Sequence, residues 1–417
     1  MMISLQYGRP YFEIERLWKA GLMAETRHKL DQGLYTRHLK TVVVGLVLAT
    51  LLTLVLYTTP TTTSFILSAT TNSLSASVLM DEGGPRCLPH RHVMFLKTHK
   101  CASTTVQNIF LRYGYTHNLT FALPSVGNYL GNPRLFKADM IPNKLLPLHG
   151  VVDLFAVHSR LNPPEHKRIL YNDTRWITIV REPATLYESL FNFFHMKNGY
   201  GFDLSQFNTR PMLELESLPR YGGKLGKNQM LFDLGYSDNM SVIELRSAIE
   251  QLDKRFDLVM ISEYMDESLV LLRHLLCWSL HDVVVFAKNA RRQEVKPTLE
   301  PRTLQALREL NSADVLLYNH FVAKHRRSVY EFGVQRMANE VSALRSLRDE
   351  YYEVCGAREV KGRDSSLKFK EYSGLVSGYV TANNSDQNCL MLSMPELPLV
   401  DTIRRRQKVL LNVDGLS

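Results

Sequence analysis

Residues 93–113 read Val-Met-Phe-Leu-Lys-Thr-His-Lys-Cys-Ala-Ser-Thr-Thr-Val-Gln-Asn-Ile-Phe-Leu-Arg-Tyr. The apolar run Val93–Leu96 predicts a buried β-strand, and the apolar residues of 106–113 recur at the spacing of one helix face. A strand, a short polar turn and a helix point free backbone N–H groups at an anion, and lysines and small hydroxyl residues suit a phosphate. The stretch contains no glycine before position 114, so the Walker pattern GxxxxGK[ST] is absent and a nucleotide kinase fits less well. The sequence therefore predicts a phosphate-binding loop of another kind.

Further strands and helices alternate along the chain after this loop. Apolar runs predict strands at 151–157, 175–180 and 256–261, and helical spacing predicts helices at 183–196, 241–254 and 268–278. This alternation predicts an α/β fold, a mainly parallel sheet with flanking helices. In such sheets ligands bind beyond the carboxyl ends of the strands. Polar clusters follow three predicted strands there, namely the loop after Leu96, His158-Ser159-Arg160 and Arg181-Glu182-Pro183.

The overall composition is that of a globular protein with an excess of positive charge. The chain has 417 residues, of which 45% are hydrophobic and 22% charged, and its formal net charge is +9. That charge suggests an anionic ligand, a membrane surface or an acidic partner, without choosing among them. Five cysteines in a chain this long exclude a disulfide-framework mini-protein, and the absence of a CxxC pair gives no metal pattern. After residue 297 the chain is predicted to be mostly helical, and the basic run 404–406 is predicted to be a solvated face rather than a site.

The first 85 residues differ from the rest of the chain. Residues 1–40 hold seven Lys or Arg and four Asp or Glu, and no charged residue lies between Lys40 and Asp81. Residues 42–57 are nearly continuously apolar. A helix over 41–57 would be roughly 25 Å long at about 1.5 Å per residue, enough for a thin bilayer. Because basic residues precede it, the positive-inside rule predicts a single-pass type II membrane protein. A cleaved signal peptide and a buried core helix are the alternatives. The predicted division is a cytoplasmic tail at 1–40, a transmembrane signal anchor at 41–59, a Thr/Ser-rich stem at 60–85 and a lumenal domain at 86–417.

A lumenal location would permit two covalent modifications. Sequons that could carry N-linked glycans occur at four positions: Asn118, Asn172, Asn239 and Asn383. Disulfides also become permissible, and four of the five cysteines can pair. We expect Cys101 to be left over, because it lies in the predicted phosphate loop. The connectivity of the other four cannot be read from the sequence.

Residues 95–105 resemble the 5′-phosphosulfate loop of Golgi carbohydrate sulfotransferases. They are most similar to the galactose-3-O-sulfotransferase family, whose loop runs Leu-Lys-Thr-His-Lys-Thr-(Ala/Gly)-Ser-Ser-Thr. The chain departs from that pattern at Cys101, where Thr is usual, and at Thr104, where Ser is usual. Segments 228–235, 256–278 and 282–291 also resemble the family, so that the similarity covers about 93–332. The resemblance implies a P-loop-like sulfotransferase fold after the transmembrane helix, in the Golgi membrane.

The resemblance also implies a donor and the residues that hold it. The donor of such enzymes is 3′-phosphoadenosine 5′-phosphosulfate (PAPS), and no metal is required. The loop residues implied in donor binding are Lys97, Thr98, His99, Lys100, Ala102, Ser103, Thr104 and Thr105. Lys100 aligns with the lysine that neutralises the leaving group in the family, and Lys97 is the alternative candidate for this role. Arg181 and Ser189 resemble the element that binds the 3′-phosphate, since an arginine offers a bidentate fork to it. Arg291 or Arg292 is a further candidate for that phosphate, although a solvated charge run is nearly as good an interpretation.

The reaction needs a base for the acceptor hydroxyl, and we predict His158 for this role. It ends a predicted strand, and His-Ser-Arg resembles a histidine segment of the family. Histidine suits the task because its unperturbed pKa lies near neutrality. His149 and His99 are the alternatives, and a purely structural histidine is another.

These observations predict PAPS-dependent transfer of sulfate to the 3-hydroxyl of a β-galactosyl residue. The implied partners are the galactose-terminated glycan of a glycolipid or glycoprotein and the Golgi membrane, with no nucleic acid; the oligomeric state is not indicated. One alternative is a uronyl or other glycan O-sulfotransferase. Another is an inactive membrane-tethered glycan-binding protein, in which Cys101 would mark decay of the loop.

Overall fold

A four-stranded sheet lies beneath the predicted phosphate loop. A computed structural model of the chain describes residues 87–286, 299–373, 376–382 and 386–414. The strands are β1 (Val93–Leu96), β2 (Leu154–Phe155), β3 (Arg175–Val180) and β4 (Leu258–Ile261). They pair in the order β2-β1-β3-β4, and each neighbouring pair is parallel. The predicted mainly parallel α/β sheet is confirmed.

The bounds of the strands follow the sequence pattern where both neighbours are strands. β1 and β3 occupy the predicted residues, and β1 is buried along its whole length. The second predicted strand, 151–157, is regular only over Leu154–Phe155. β2 lies at the edge of the sheet, and beyond it single bridges such as Val152 to Leu170 replace a continuous ladder.

Helices cover the sheet and form most of the second half of the described chain. Those before β4 are α1 (Ser103–Thr116), α2 (Pro163–Lys167), α3 (Pro183–Phe193), α4 (Lys197–Tyr200), α5 (Met212–Ser217), α6 (Gln229–Asp233) and α7 (Val242–Arg255). Those after it are α8 (Met265–Leu276), α9 (Leu280–Val283), α10 (Pro301–Leu310), α11 (Ser312–Phe332), α12 (Val334–Val354), α13 (Gln387–Ser393) and α14 (Glu396–Asp414). Short 3₁₀ turns occur at Ala138–Met140, Asn143–Leu145, Leu204–Gln206 and Ser262–Tyr264.

Helix α1 is the element that fixes the loop against the sheet. It is buried from Ser103 to Gly114 except at Thr104. Gly114 is required by close packing, because a Cβ there would lie 2.3 Å from the side chains of Leu154 and Phe121. The helix therefore lies directly on the edge of the sheet, with its amino end at the carboxyl end of β1.

The tail after Gly356, which showed no clear sequence pattern, is folded. Strands β5 (Arg358–Lys361) and β6 (Ser377–Val380) form an antiparallel pair, and α13 and α14 follow. Disulfides join Cys87 to Cys277 and Cys355 to Cys389, and Cys101 is a buried free thiol, as expected.

The prediction for the basic run 404–406 is wrong at its first residue. Arg404 is buried, and its Nε donates to the carbonyl oxygen of Pro124 at 2.8 Å. It holds two parts of the fold together, whereas Arg405 is exposed.

Several predictions concern residues outside the described ranges. These are the tail at 1–40, the anchor at 41–59, the stem at 60–85, the sequon at Asn383, and Arg291 and Arg292. Within the described ranges, no helix is both long enough and apolar enough to cross a bilayer.

Candidate active site

A cleft of about 1140 Å³ opens at the carboxyl ends of β1, β3 and β4. Lys97, Arg181 and Ser262, the residues that directly follow those strands, all line it. This is the edge where parallel sheets bind ligands. A smaller cavity of about 470 Å³ lies at the opposite end of β3, around Arg175 and Trp176. Ten predicted site residues line the larger cleft: Lys97, His99, Lys100, Ala102, Ser103, Thr104, Thr105, His158, Arg181 and Ser189.

The backbone of the loop turns sharply between β1 and α1. Lys100 and Ala102 have φ angles of 56° and 59°, in the left-handed region that non-glycine residues rarely adopt. Backbone strain of this kind clusters at ligand-binding sites, where the surrounding structure enforces it. Ser103 begins α1, and its hydroxyl donates to the carbonyl oxygen of Thr98. The turn is thus closed on itself, and the first turn of α1 faces the cleft.

Thr98 does not place its side chain in the cleft. It is fully buried, and its hydroxyl donates to the carbonyl oxygen of Ile179 in β3 at 2.7 Å. This corrects the side-chain part of the donor-binding prediction. The hydroxyl instead fastens the start of the loop to the neighbouring strand.

Lys97 is buried with a partner on each side. Its side chain is 2% exposed, and Nζ lies 2.8 Å from the Thr104 hydroxyl and 3.3 Å from Oε2 of Glu396. Burial lowers the pKa of the Lys97 ammonium from 10.5, and the charge of Glu396 opposes that shift. The lysine is therefore held at the floor of the cleft.

Lys100 and Arg181 contact each other, and both contact helix α3. The Lys100 Nζ is 3.5 Å from the centre of the Phe193 ring, a cation–π contact. The Arg181 Nη1 donates to the carbonyl oxygen of Lys100 at 2.9 Å, and its Nε donates to the Thr185 hydroxyl at 3.2 Å. Ser189 follows one helical turn after Thr185 and also lines the cleft. The predicted 3′-phosphate pair is therefore next to the loop.

The imidazole of His158 lies between two other rings. It stacks on His99 at 4.4 Å and on Tyr129 at 4.6 Å between ring centres. Its Nδ1 is 3.1 Å from the carbonyl oxygen of Lys97. A carbonyl only accepts, so Nδ1 carries the hydrogen and Nε2 is the unprotonated nitrogen of the neutral ring. Burial, and after it the charge of Lys97, lowers the pKa of His158 well below 6.5.

The two alternative histidines occupy different environments. The Nδ1 of His99 is 2.9 Å from the buried Asp233 carboxylate, and its Nε2 is 3.1 Å from the Tyr129 hydroxyl. Both ring nitrogens of His99 thus have protein partners. His149 is exposed, bonds to Tyr171 and does not line the cleft.

Sequence reasoning missed four residues that complete this arrangement: Asn128, Tyr129, Asp233 and Glu396. Asp233 lies in a segment singled out for its resemblance, but nothing in that segment indicated its contact with His99. Glu396 had only one local signal, an acidic residue at the start of a helix. In the described ranges, no group of three or more His, Cys, Asp or Glu side chains is placed to hold a metal ion.

The chain is similar to known proteins over most of its length. The profile described as galactose-3-O-sulfotransferase matches residues 23–407. Galactosylceramide sulfotransferase of Bos taurus is 35% identical over 284 residues, 66% of this chain and 66% of that protein, slightly under two thirds of its length. Galactose-3-O-sulfotransferase 3 of Mus musculus is 35% identical over 356 residues, 78% of this chain and 80% of that protein. Galactose-3-O-sulfotransferase 2 of Homo sapiens is 34% identical over 332 residues, 74% of this chain and 82% of that protein.

Proposed function

Because this chain belongs to the galactose-3-O-sulfotransferase family, a family of carbohydrate sulfotransferases, we propose that it transfers sulfate from PAPS to the 3-hydroxyl of a β-galactosyl residue. The acceptor is the terminal galactose of a glycolipid or a glycoprotein glycan. One observation carries the proposal: Lys97, Lys100, His158 and Arg181 all line one cleft at the carboxyl edge of the sheet. A cationic cleft with a free imidazole nitrogen supplies what sulfuryl transfer needs.

The residues of the cleft fit a nucleotide that is anionic at both ends. The loop and the amino end of α1 offer amides, hydroxyls and lysines to a 5′-phosphosulfate. Arg181 and Ser189 offer donors to a 3′-phosphate on the other side of Lys100. Bound there, PAPS supplies a sulfuryl group whose sulfur is attacked by the acceptor oxygen while the bridging oxygen leaves with the nucleotide phosphate.

The side chains divide the remaining tasks. The unprotonated Nε2 of His158 takes the proton of the acceptor hydroxyl, and the depressed pKa keeps that nitrogen free at neutral pH. Lys100 faces the negative charge that develops on the leaving oxygen. Asp233 fixes His99 and, through the ring stack, the orientation of His158.

The departure at Cys101 does not favour an inactive protein. The thiol is fully buried and lies 3.4 Å from the carbonyl oxygen of His99, so it points away from the cleft. Burial also raises the pKa of this thiol, which keeps it neutral. Replacing Thr by Cys therefore removes no donor from the cleft.

We also propose that the enzyme is a single-pass type II protein of the Golgi membrane, with residues 41–59 as the anchor and 86–417 in the lumen. The charge bias of residues 1–40 supports this orientation. Two disulfides, Cys87–Cys277 and Cys355–Cys389, suit an oxidising compartment.

The direct test uses the full-length chain in solubilised membranes with labelled PAPS and a panel of galactosides and uronic acid acceptors. We expect label on the 3-hydroxyl of β-galactosides, identified by linkage analysis of the product. The variant Lys100→Ala should lose turnover, whereas the exposed control Lys361→Ala should keep it. Transfer only to uronic acids, or binding of the nucleotide without transfer to any acceptor, would contradict the proposal.

A further inference from the structure

We infer that Glu396, the first residue of α14, is a positioning residue for sulfuryl transfer: it holds Lys97 as an ammonium ion and aims Lys97 and Thr104 at the bound donor. This inference rests on the function proposed above. Glu396 lies 299 residues after Lys97 in the sequence, yet the two side chains form an ion pair in the cleft.

Three side chains converge on the Glu396 carboxylate. Oε2 lies 3.3 Å from the Lys97 Nζ and accepts from the Thr104 hydroxyl at 3.0 Å. The Lys97 Nζ in turn donates to the Thr104 oxygen at 2.8 Å, which closes a triangle. The other oxygen, Oε1, accepts from the side-chain amide of Asn128. Both oxygens are therefore engaged, and two of the three N–H groups of Lys97 have fixed directions.

The physical need for Glu396 comes from the burial of Lys97. An ammonium removed from water without a partner loses its proton or destabilises the fold. Lys97 also faces Asp233 on α6, Cys101 in the loop and His158 after β2. Asp233 is hydrogen-bonded to His99, and the Cys101 thiol is neutral. Glu396 is the carboxylate in hydrogen-bond contact with Lys97, so the charge of the lysine depends chiefly on it.

The position of Glu396 is built into the fold. Further along α14, the buried Arg404 donates to the carbonyl oxygens of Pro124 and Gly127. Gln407 exchanges two hydrogen bonds with the backbone of Phe121, each 2.8 Å long. α14 thus holds segment 121–127 by hydrogen bonds, and Asn128 is the next residue along the chain.

This anchoring argues against a second interpretation, in which the carboxylate merely fills the place of a donor anion and swings out when the donor binds. The helix that carries Glu396 is fixed by buried contacts, and moving the carboxylate away would break its hydrogen bonds with Lys97, Thr104 and Asn128. The two interpretations predict opposite signs for the effect of neutralising Glu396 on nucleotide affinity.

The test compares full-length Glu396→Gln with the wild type and with Glu353→Gln, the same substitution at an exposed position on α12. Binding of adenosine 3′,5′-bisphosphate is measured by calorimetry, and kcat by sulfate transfer, between pH 6 and 9. Loss of the carboxylate lowers the pKa of Lys97 further, so the ammonium disappears at a lower pH. We expect the alkaline limb of kcat to move to lower pH and the affinity at pH 8 to fall about tenfold or more. Glu353→Gln should overlay the wild type.

Three results would overturn the inference: an unchanged pH profile in Glu396→Gln, tighter binding in that variant, or the same shift in Glu353→Gln. If Glu396→Gln is unfolded at the assay temperature, Glu396→Asp replaces it. That variant keeps the charge, so its alkaline limb should stay in place while kcat falls, and a moved limb would contradict the inference. Absence of bisphosphate binding by the wild type would reject the proposed function itself, whereas wild-type binding with an unaffected variant rejects only the role of Glu396.

Discussion

Three ionisable side chains at the cleft, His158, His99 and Lys97, each have a specific neighbour that sets their charge or their direction. His158 is oriented by a carbonyl oxygen, His99 by a carboxylate, and Lys97 by Glu396. The Lys100 Nζ lies over the Phe193 ring, and this lysine is half-buried, whereas Lys97 is buried. The two lysines thus differ in environment, and this difference supports Lys100 at the leaving group and Lys97 deeper in the donor site.

Replacing His158 by Asn should lower kcat by about 10²- to 10⁴-fold, because the acceptor hydroxyl loses its base. Binding of adenosine 3′,5′-bisphosphate should be retained, since Asn can still donate near the Lys97 carbonyl. The two quantities are measured by sulfate transfer and calorimetry. The control is His149→Asn, which changes an exposed histidine. Near-normal turnover in His158→Asn would mean that a group other than His158 accepts the proton of the acceptor hydroxyl.

Replacing Thr98 by Val should lower the free energy of unfolding by about 1–3 kcal/mol, because the buried carbonyl oxygen of Ile179 loses its donor. Nucleotide affinity should be unchanged in protein that remains folded. Denaturant unfolding and calorimetry provide the two measurements. Thr209→Val removes an exposed hydroxyl and should change neither stability nor nucleotide affinity. If Thr98→Val binds the nucleotide more weakly and Thr209→Val does not, the Thr98 side chain does contribute to donor binding.

Helix α14 contacts two separate parts of the fold, the cleft and the segment before Asn128. It supplies Glu396 to the cleft at its first residue and holds the segment before Asn128 through Arg404 and Gln407. A helix near the end of the chain therefore positions side chains that come from its beginning.

Replacing Arg404 by Ala should reduce the free energy of unfolding by about 2–4 kcal/mol, because the buried carbonyl oxygen of Pro124 and the half-buried one of Gly127 lose their donor. It should also lower kcat, since the segment carrying Asn128 and Tyr129 is no longer held. Thermal unfolding and turnover test both effects. The neighbouring exposed Arg405→Ala should stay within about 0.5 kcal/mol of the wild type, and equal effects of the two variants would refute the distinction.

The bounds of some strands could be predicted from the sequence, whereas the position of the C-terminal tail could not. β1 and β3 are the inner strands of a parallel sheet whose faces are covered by helices. Both faces of each strand are buried, so the sequence there is a nearly continuous apolar run. The edge strand β2 has only single bridges beyond it, and its apolar run extends past the regular ladder. The C-terminal tail is positioned by long-range contacts of Arg404, Gln407 and Glu396, and such contacts leave no periodic pattern.

The same contrast holds for the site as a whole. The loop and Arg181 directly follow strands, and His158 lies three residues after β2, so their common edge could be predicted from the topology of a parallel sheet. Glu396 and Asn128 reach that edge through the path of the tail and of a long loop, which a local pattern cannot specify. The proposed membrane anchor lies outside the described residues and stays a prediction.

For the whole molecule, buried histidines should link stability to pH. Burial lowers the pKa of His166 to about 4, whereas the unfolded chain takes up this proton near 6.5. The folded state then binds fewer protons, and stability from this residue falls as pH drops below 6.5, by about 2 kcal/mol at pH 5. Asp314 acts in the opposite direction, because burial raises its pKa to about 7.

The comparison is therefore made between the wild type and His166→Gln. Denaturant unfolding at pH 7.5 and pH 5 should show the wild type losing about 2 kcal/mol relative to the variant over this interval. The exposed His149→Gln should show no such difference. A constant gap between the wild type and His166→Gln at both pH values would mean that the imidazole titrates normally in the folded protein.

The late position of α14 in the chain has a consequence for biosynthesis. A ribosome must translate about three hundred codons beyond Lys97 before Glu396 can reach the loop. A premature stop or frameshift between the codons of β6 and that of Glu396 would spare the strands, both lysines and the histidines of the cleft, yet deprive Lys97 of its carboxylate. We expect such truncated products to lack sulfate-transfer activity, even where an antibody against the earlier part of the protein still detects them.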